Sequence, residues 1–267
     1  MKSEALTTED LRALEWYATM GVEAVMGSSL RGSVDNRSHS GPERESRESR
    51  SHPELDLASR ESPEILNQGQ DDQVLDLASL REAILNFEGC ALKSTATNTV
   101  FGDGIPTSKI MLIGEAPGAT EDAQGIPFCG ESGKLLDRMI ESIGLSRTKN
   151  VYITNTIFWR PPGNRAPTDQ EIEACRPFVE QHIALINPEL LILVGSTAVT
   201  SLLGKHLQIS RIRQEYYQYT NTYLNKSITT TALFHPAYLL RQPMQKKTTW
   251  YDLLKIREFI EKNIKTC

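Results

Sequence analysis

Residues 109–122 read KIMLIGEAPGATED, and this stretch decides the fold. Residues 109–114 form a short apolar run of strand length, and the turn that follows holds Gly114, Pro117 and Gly118. Outward from it, residues 132–144 place Leu135, Leu136, Met139, Ile140 and Ile143 on one helical face, with Gly144 as the stop. Residues 151–157 read as a second strand. Thr168 with Glu171 three positions later makes a capping box for a helix reaching about Ile186. Residues 190–194 are a third strand, 196–203 a short helix, 228–234 a β-branched strand and 249–264 a closing helix. Strands alternating with helices predict an α/β fold in which a mainly parallel, four-stranded sheet is covered on both faces. Ligands of such sheets collect at the carboxyl ends of the strands.

Four loops fall at those ends. In the first, Glu115 follows the strand directly, where a carboxylate can orient water, and Glu121 lies six residues on. An ordinary strand-to-helix turn with surface acids would look the same. The pattern GxxxxGK[ST] is absent from it, which counts against a nucleoside-triphosphate enzyme. The second loop, residues 124–130 (QGIPFCG), can present the Phe128 ring to a flat base, unless Phe128 is a core residue. The third begins at Asn155, whose amide donates and accepts together, and runs into 159–165 (WRPPGNR). Arg160, Asn164 and Arg165 there suit phosphates; Asn155 could equally tie down its own loop. The fourth, residues 234–241 (FHPAYLLR), sets His235 at a strand end. Tyr238, Leu239 and Leu240 follow as an apolar tip suited to entering a duplex, with Arg241 behind. His182 and His206 read as satisfied structural histidines.

The net charge of −5 is unevenly divided. Residues 1–78 hold 8 Lys/Arg against 16 Asp/Glu, a net of −8, whereas residues 79–267 carry +3. The second part therefore permits phosphate contact. Residues 7–26 predict an amphipathic helix with Leu11, Leu14, Ala18, Val22 and Val25 on its stripe, docked on its own domain or on a protein partner. Residues 28–73 have a linker composition, leaving 74–267 as the folded domain after an N-terminal segment 1–27. No apolar run is long enough to span a bilayer. The acidic N-terminus is no secretory signal, so a cytoplasmic, nucleoid-associated protein is expected.

Taken together, the blocks GEAPGATED, GIPFCGESGKLLD, YITNTIFWRPPGNRAPTDQEIEAC and HPAYLLR resemble the family-4 uracil-DNA glycosylases. The resemblance spans residues 87–264. It implies a three-layer α/β/α glycosylase fold and hydrolysis of the N-glycosidic bond of uracil flipped out of DNA. It implies Glu115 as the water-activating or charge-stabilising carboxylate and His235 as the partner of the uracil anion. Phe128 becomes the stacking ring and Asn155 the uracil reader, with Gly114, Ala116 and Glu121 around the base. The partner is uracil-containing DNA, and a monomer is expected.

The family pattern also implies a [4Fe–4S] cluster on four cysteines. Here Cys90 and Cys175 hold two of those places, and Phe87 and Trp159 hold the others. Neither ring ligates iron, and two thiolates are too few for a cubane, so no cluster and no other metal is expected. Two other readings remain. One is a non-catalytic DNA-binding module associated with a polymerase or clamp; the other is an enzyme hydrolysing free nucleosides or nucleotides.

Overall fold

A computed structural model describes residues 16–18, 20–21, 76–204 and 207–264. Two compact units divide the chain, one of residues 1–23 with 74–267 and one of residues 24–73. The second lies outside the described residues, as do the linker reading and His206.

In the first unit α1 (Leu77–Asn86) precedes β1 (Asp103–Gly104) and β2 (Ile110–Gly114). Then come α2 (Ala119–Gln124), α3 (Glu131–Glu141), β3 (Tyr152–Asn155), α4 (Asp169–Ile186) and β4 (Leu190–Val194). The chain continues through α5 (Ser196–Leu202), α6 (Ile209–Ile212), β5 (Tyr217–Tyr219), β6 (Ile228–Leu233), α7 (Pro236–Arg241) and α8 (Gln245–Asn263). The strands form one sheet in the order β1-β3-β2-β4-β6-β5. Its centre, β3-β2-β4-β6, is parallel, as the alternating pattern requires. The antiparallel edges β1 and β5 enlarge the expected four-stranded sheet.

Successive strand residues face opposite sides of the sheet. Met111, Ile113, Leu191 and Leu193 share one core with Leu80 and Ile84 of α1 and Val179 and Ile183 of α4. Ile110, Leu112, Leu190 and Ile192 alternate with them and are equally buried. The buried faces of α3 (Leu135, Leu136, Met139) and α8 (Leu253, Ile256) stand outside that first core. The result is a three-layer α/β/α sandwich. Helix α4 starts at the expected capping box: Thr168 Oγ1 accepts from Glu171 N–H at 3.2 Å, and Glu171 Oε2 accepts from Thr168 N–H at 2.7 Å.

Two sequence expectations change. In the N-terminal segment the described residues dock through Trp16 and Met20, both buried, while Ala18 is exposed. Trp16 lies 5.2 Å from Trp250 of α8, and Lys246 donates to the Met20 carbonyl. The apolar pair i, i+4 takes the inner face; the other residues of the expected stripe, Leu11, Leu14, Val22 and Val25, lie outside the described residues. The other change concerns Tyr238–Leu240, read as an apolar tip in the loop 234–241. They lie in the helix α7, which turns Leu239 fully inward.

His182 is buried against Phe101, ring centroids 4.4 Å apart, with Nε2 2.9 Å from the Tyr152 hydroxyl. Burial holds its pKa down at about 3, against 6.5 for a free imidazole. Below pH 6.5 the unfolded chain therefore binds a proton that the folded chain refuses. Stability should rise with pH through this window, by up to about 1.4 kcal/mol per unit from this group. Urea midpoints measured from pH 7 to 5 should fall less steeply for His182→Phe than for the wild type; parallel profiles would sink this account.

Candidate active site

The loops beyond β2, β3, β4 and β6 enclose one cavity of about 950 Å³, a volume suited to a small ligand. Glu115, the first residue past β2, lies on its wall with Ala116, Pro117 and Gly118. The Glu115 main chain is fixed from β3: its carbonyl accepts from Ile157 N–H at 3.1 Å and Thr156 Oγ1 at 2.7 Å. Its side-chain Oε2 accepts from the Thr197 hydroxyl of α5. Gly114 sits behind the wall, and a Cβ there would come 2.5 Å from Asn155 Oδ1 and strike the Phe128 ring. Only glycine lets those two side chains meet over the strand end.

Phe128 is held in the left-handed region, at φ 52°, and its ring is 5.7 Å from that of His235. Arg147 fixes this loop. Its Nη1 donates to the Pro127 carbonyl at 3.0 Å and its Nη2 to the Phe128 carbonyl at 2.9 Å, while Asp137 and Asp103 hold the guanidinium. Gly133 in α3 completes the seat, since any Cβ there would overlap the Phe128 carbonyl. Glu121 works between two loops. Its Oε1 accepts from Cys129 and Gly130 N–H at 3.0 and 2.8 Å, and its Oε2 from Gly118 N–H at 3.1 Å. The carboxylate expected to meet the base is thus committed to backbone donors, and the Gly118 amide is committed to it.

Asn155 is 1% exposed, and its Oδ1 is among the buried side-chain atoms without a hydrogen-bond partner in the described residues. Asn155 lines the cavity, and an unmet buried carbonyl on its wall calls for a donor. His235 caps α7: its Nδ1 accepts from Ala237 N–H at 3.1 Å. The neutral ring therefore carries its proton on Nε2. Burial keeps its pKa below 6.5. Gly195, at φ 101°, brings the β4–α5 turn against the histidine; a Cβ on it would lie 3.0 Å from His235 Cβ.

Around the mouth, Asn164, Arg165, Tyr238 and Arg241 line the cavity. Arg160 stands back from it, donating through Nε to Asn164 Oδ1 at 2.7 Å. Arg165 makes a two-pronged pair with Glu171, at 2.8 and 2.6 Å, which holds that carboxyl down at about 2. Leu239 is fully buried and cannot touch a DNA chain; the exposed apolar groups nearby are Leu240 and Met244. Arg213 also reaches the cavity, paired with Asp252 at 2.7 Å and lying 5.4 Å over the Phe234 ring. Arg147, Thr197, Gly195 and Arg213 were missed in the sequence. Only Gly195 gave a signal, as a glycine at a strand's carboxyl end.

The positions of the four cluster cysteines do not fit a cluster. Phe87 and Trp159 stack with centroids 6.4 Å apart, and Phe87 meets Phe178 at 4.8 Å. Trp159 is 1% exposed and donates from Nε1 to Thr99 Oγ1 at 2.9 Å. Cys90 and Cys175 are free, buried thiols. Their mutual influence lowers the pKa of Cys90 and raises that of Cys175, which burial raises further. Among the described residues no group of three or more His, Cys, Asp or Glu could hold a metal.

A covered parallel sheet whose strand ends gather an aromatic ring, an unmet amide, a histidine and a carboxylate around one cavity defines an α/β protein with its candidate site at the carboxyl ends of the strands. Residues 101–254 match the family model described as the Uracil DNA glycosylase superfamily, and the chain belongs to that superfamily. Among its relatives is the Type-4 uracil-DNA glycosylase of Sulfurisphaera tokodaii, 38% identical over 68% of this chain and 84% of the relative. The Archaeoglobus fulgidus enzyme of the same name is 36% identical over 72% and 94%. That of Thermotoga maritima is 34% identical over 72% and 97%.

Proposed function

We propose that this protein is a uracil-DNA glycosylase that hydrolyses the N-glycosidic bond of uracil flipped out of DNA and leaves an abasic site. The observation that carries the reading is the unmet Asn155 Oδ1, buried beside the Phe128 ring on a residue of the cavity wall. Uracil offers its N3–H donor next to a carbonyl, and an amide answers both. Flipping costs a few kcal/mol; the exposed Leu240 or Met244 would fill the gap, with Arg241 and Arg165 of the cavity mouth meeting phosphates.

In the cavity Phe128 stacks on the base. As the bond breaks, negative charge grows on uracil and the sugar gains oxocarbenium character. His235 Nε2–H donates to the uracil oxygen as charge develops, and Ala116 lies on the same wall. Glu115 faces the sugar, where a carboxylate stabilises the cation or orients the attacking water. Glu121 keeps the Phe128 loop and the Glu115 loop in register. No step needs a metal. The chain carries no four-iron cluster, in this reading, because aromatic packing fills the place of two of its ligands.

The test is a labelled duplex containing one uracil, incubated with the wild type or Glu115→Ala and then treated with alkali. Strand cleavage by the wild type, lost or strongly reduced in Glu115→Ala, is expected. A folded wild-type protein that binds this duplex and releases no uracil would overturn the catalytic reading in favour of a binding module.

A further inference from the structure

We propose that Thr197 is the positioning residue of Glu115, which makes the β4–α5 turn a fifth working loop of the site. The inference rests on the role given to Glu115 above. The main chain of Glu115 is already clamped to the end of β3, and Thr156 N–H adds a bond to the Gly114 carbonyl at 3.0 Å. The side chain remains a three-torsion arm at the cavity wall, and its freedom is what an oriented carboxylate must lose. Thr197 removes it by donating to Oε2. The donor reaches Glu115 because β2 and β4 are parallel neighbours, with Ile113 opposite Leu193, so their loops leave the sheet side by side.

Threonine suits this task. A branched Cβ leaves few χ1 choices in a helix, so the hydroxyl direction is set by the backbone of α5. Being the second residue of α5, it has no helical carbonyl one turn back to bond, and its hydroxyl goes to a partner 82 residues away in the sequence. With Oε2 fixed, Oε1 is the oxygen left to address water or the sugar. The same turn reaches the second reacting group, since Gly195, two residues before Thr197, packs directly on His235. One short turn thus sets the distance between the two.

The experiment compares Thr197→Val, which keeps shape and branching, with Thr197→Ser, which keeps the hydroxyl. Single-turnover uracil release and affinity for the uracil duplex are measured for each, alone and combined with Glu115→Ala. Thr197→Val should release uracil about 10–100-fold more slowly at unchanged affinity, the scale of losing one orienting contact, and Thr197→Ser should recover most of the rate. In the Glu115→Ala background Thr197→Val should cost nothing further, because its effect runs through that carboxylate. A wild-type rate for Thr197→Val, or an equal loss in both backgrounds, overturns the proposal while leaving Glu115 in its role. A wild-type rate for Glu115→Ala alone overturns both.

Discussion

His235→Ala is expected to release uracil about 10²–10³-fold more slowly than the wild type in single turnover, with little change in affinity for the DNA. The size follows from removing one preorganised donor from a water-poor site, where no mobile group replaces it. Affinity is spared because the donor matters most once charge has moved onto the base. The structure also fixes the protonation state that does this work. Ala237 N–H occupies Nδ1, so the neutral ring presents Nε2–H to the cavity. A second proton would have to displace that backbone bond. Burial opposes it as well, and Arg241 adds to burial, against the opposing pull of Glu115 and Glu121. The folded pKa therefore lies below 6.5 and the active form persists above it. The wild-type rate should stay level as pH falls to 6.5 and decline only below that, whereas His235→Ala should lose that limb. A wild-type limb centred above 6.5, or a His235→Ala rate within a few-fold of wild type, would remove the assignment.

How much of this the sequence disclosed differs from element to element. The four parallel strands were legible because a strand buried on both faces is a continuous apolar run, as in Leu190–Val194. The edges were not: Asp103–Gly104 and Tyr217–Tyr219 are two and three residues long, with no periodicity to detect. The tip at Tyr238–Leu240 was misread for a related reason. Six residues of helix after His235 rotate Leu239 inward, and a loop reading has no such rotation. In the site, Glu115, Phe128, Asn155 and His235 could be named one loop at a time, since each stands at a strand end or on a turn. The groups that hold them could not. Arg147 meets Phe128 across 19 residues and Thr197 meets Glu115 across 82, contacts that only the folded sheet creates. Glu121 was visible as an acid near the site, yet its bonds to Cys129 and Gly130 depend on where the second loop comes to rest.

Trp159→Ala is expected to lower stability by about 3–5 kcal/mol, a large part of what a domain of this size possesses. Trp159 is the last residue before the Arg160–Arg165 loop and is buried on every side. It joins four parts of the chain: Phe87 after α1, Thr99 ahead of β1, its neighbour Phe158, and Phe178 of α4 through Phe87. Truncation would leave a cavity between them and strand the Thr99 hydroxyl without its indole donor. A cluster in this place would join the same segments by metal–thiolate bonds; in this chain the joining is done by stacked rings. The substitution should therefore act on stability and on the Pro161–Arg165 wall together, lowering the urea midpoint and weakening affinity for the uracil duplex. Phe87→Leu, which keeps much of the volume, should cost less than Trp159→Ala. The account makes a second demand on the wild type: protein purified without oxygen should hold no stoichiometric iron or sulfide. Stoichiometric iron there, or a Trp159→Ala midpoint equal to wild type, would mean that the rings are not what ties these segments together.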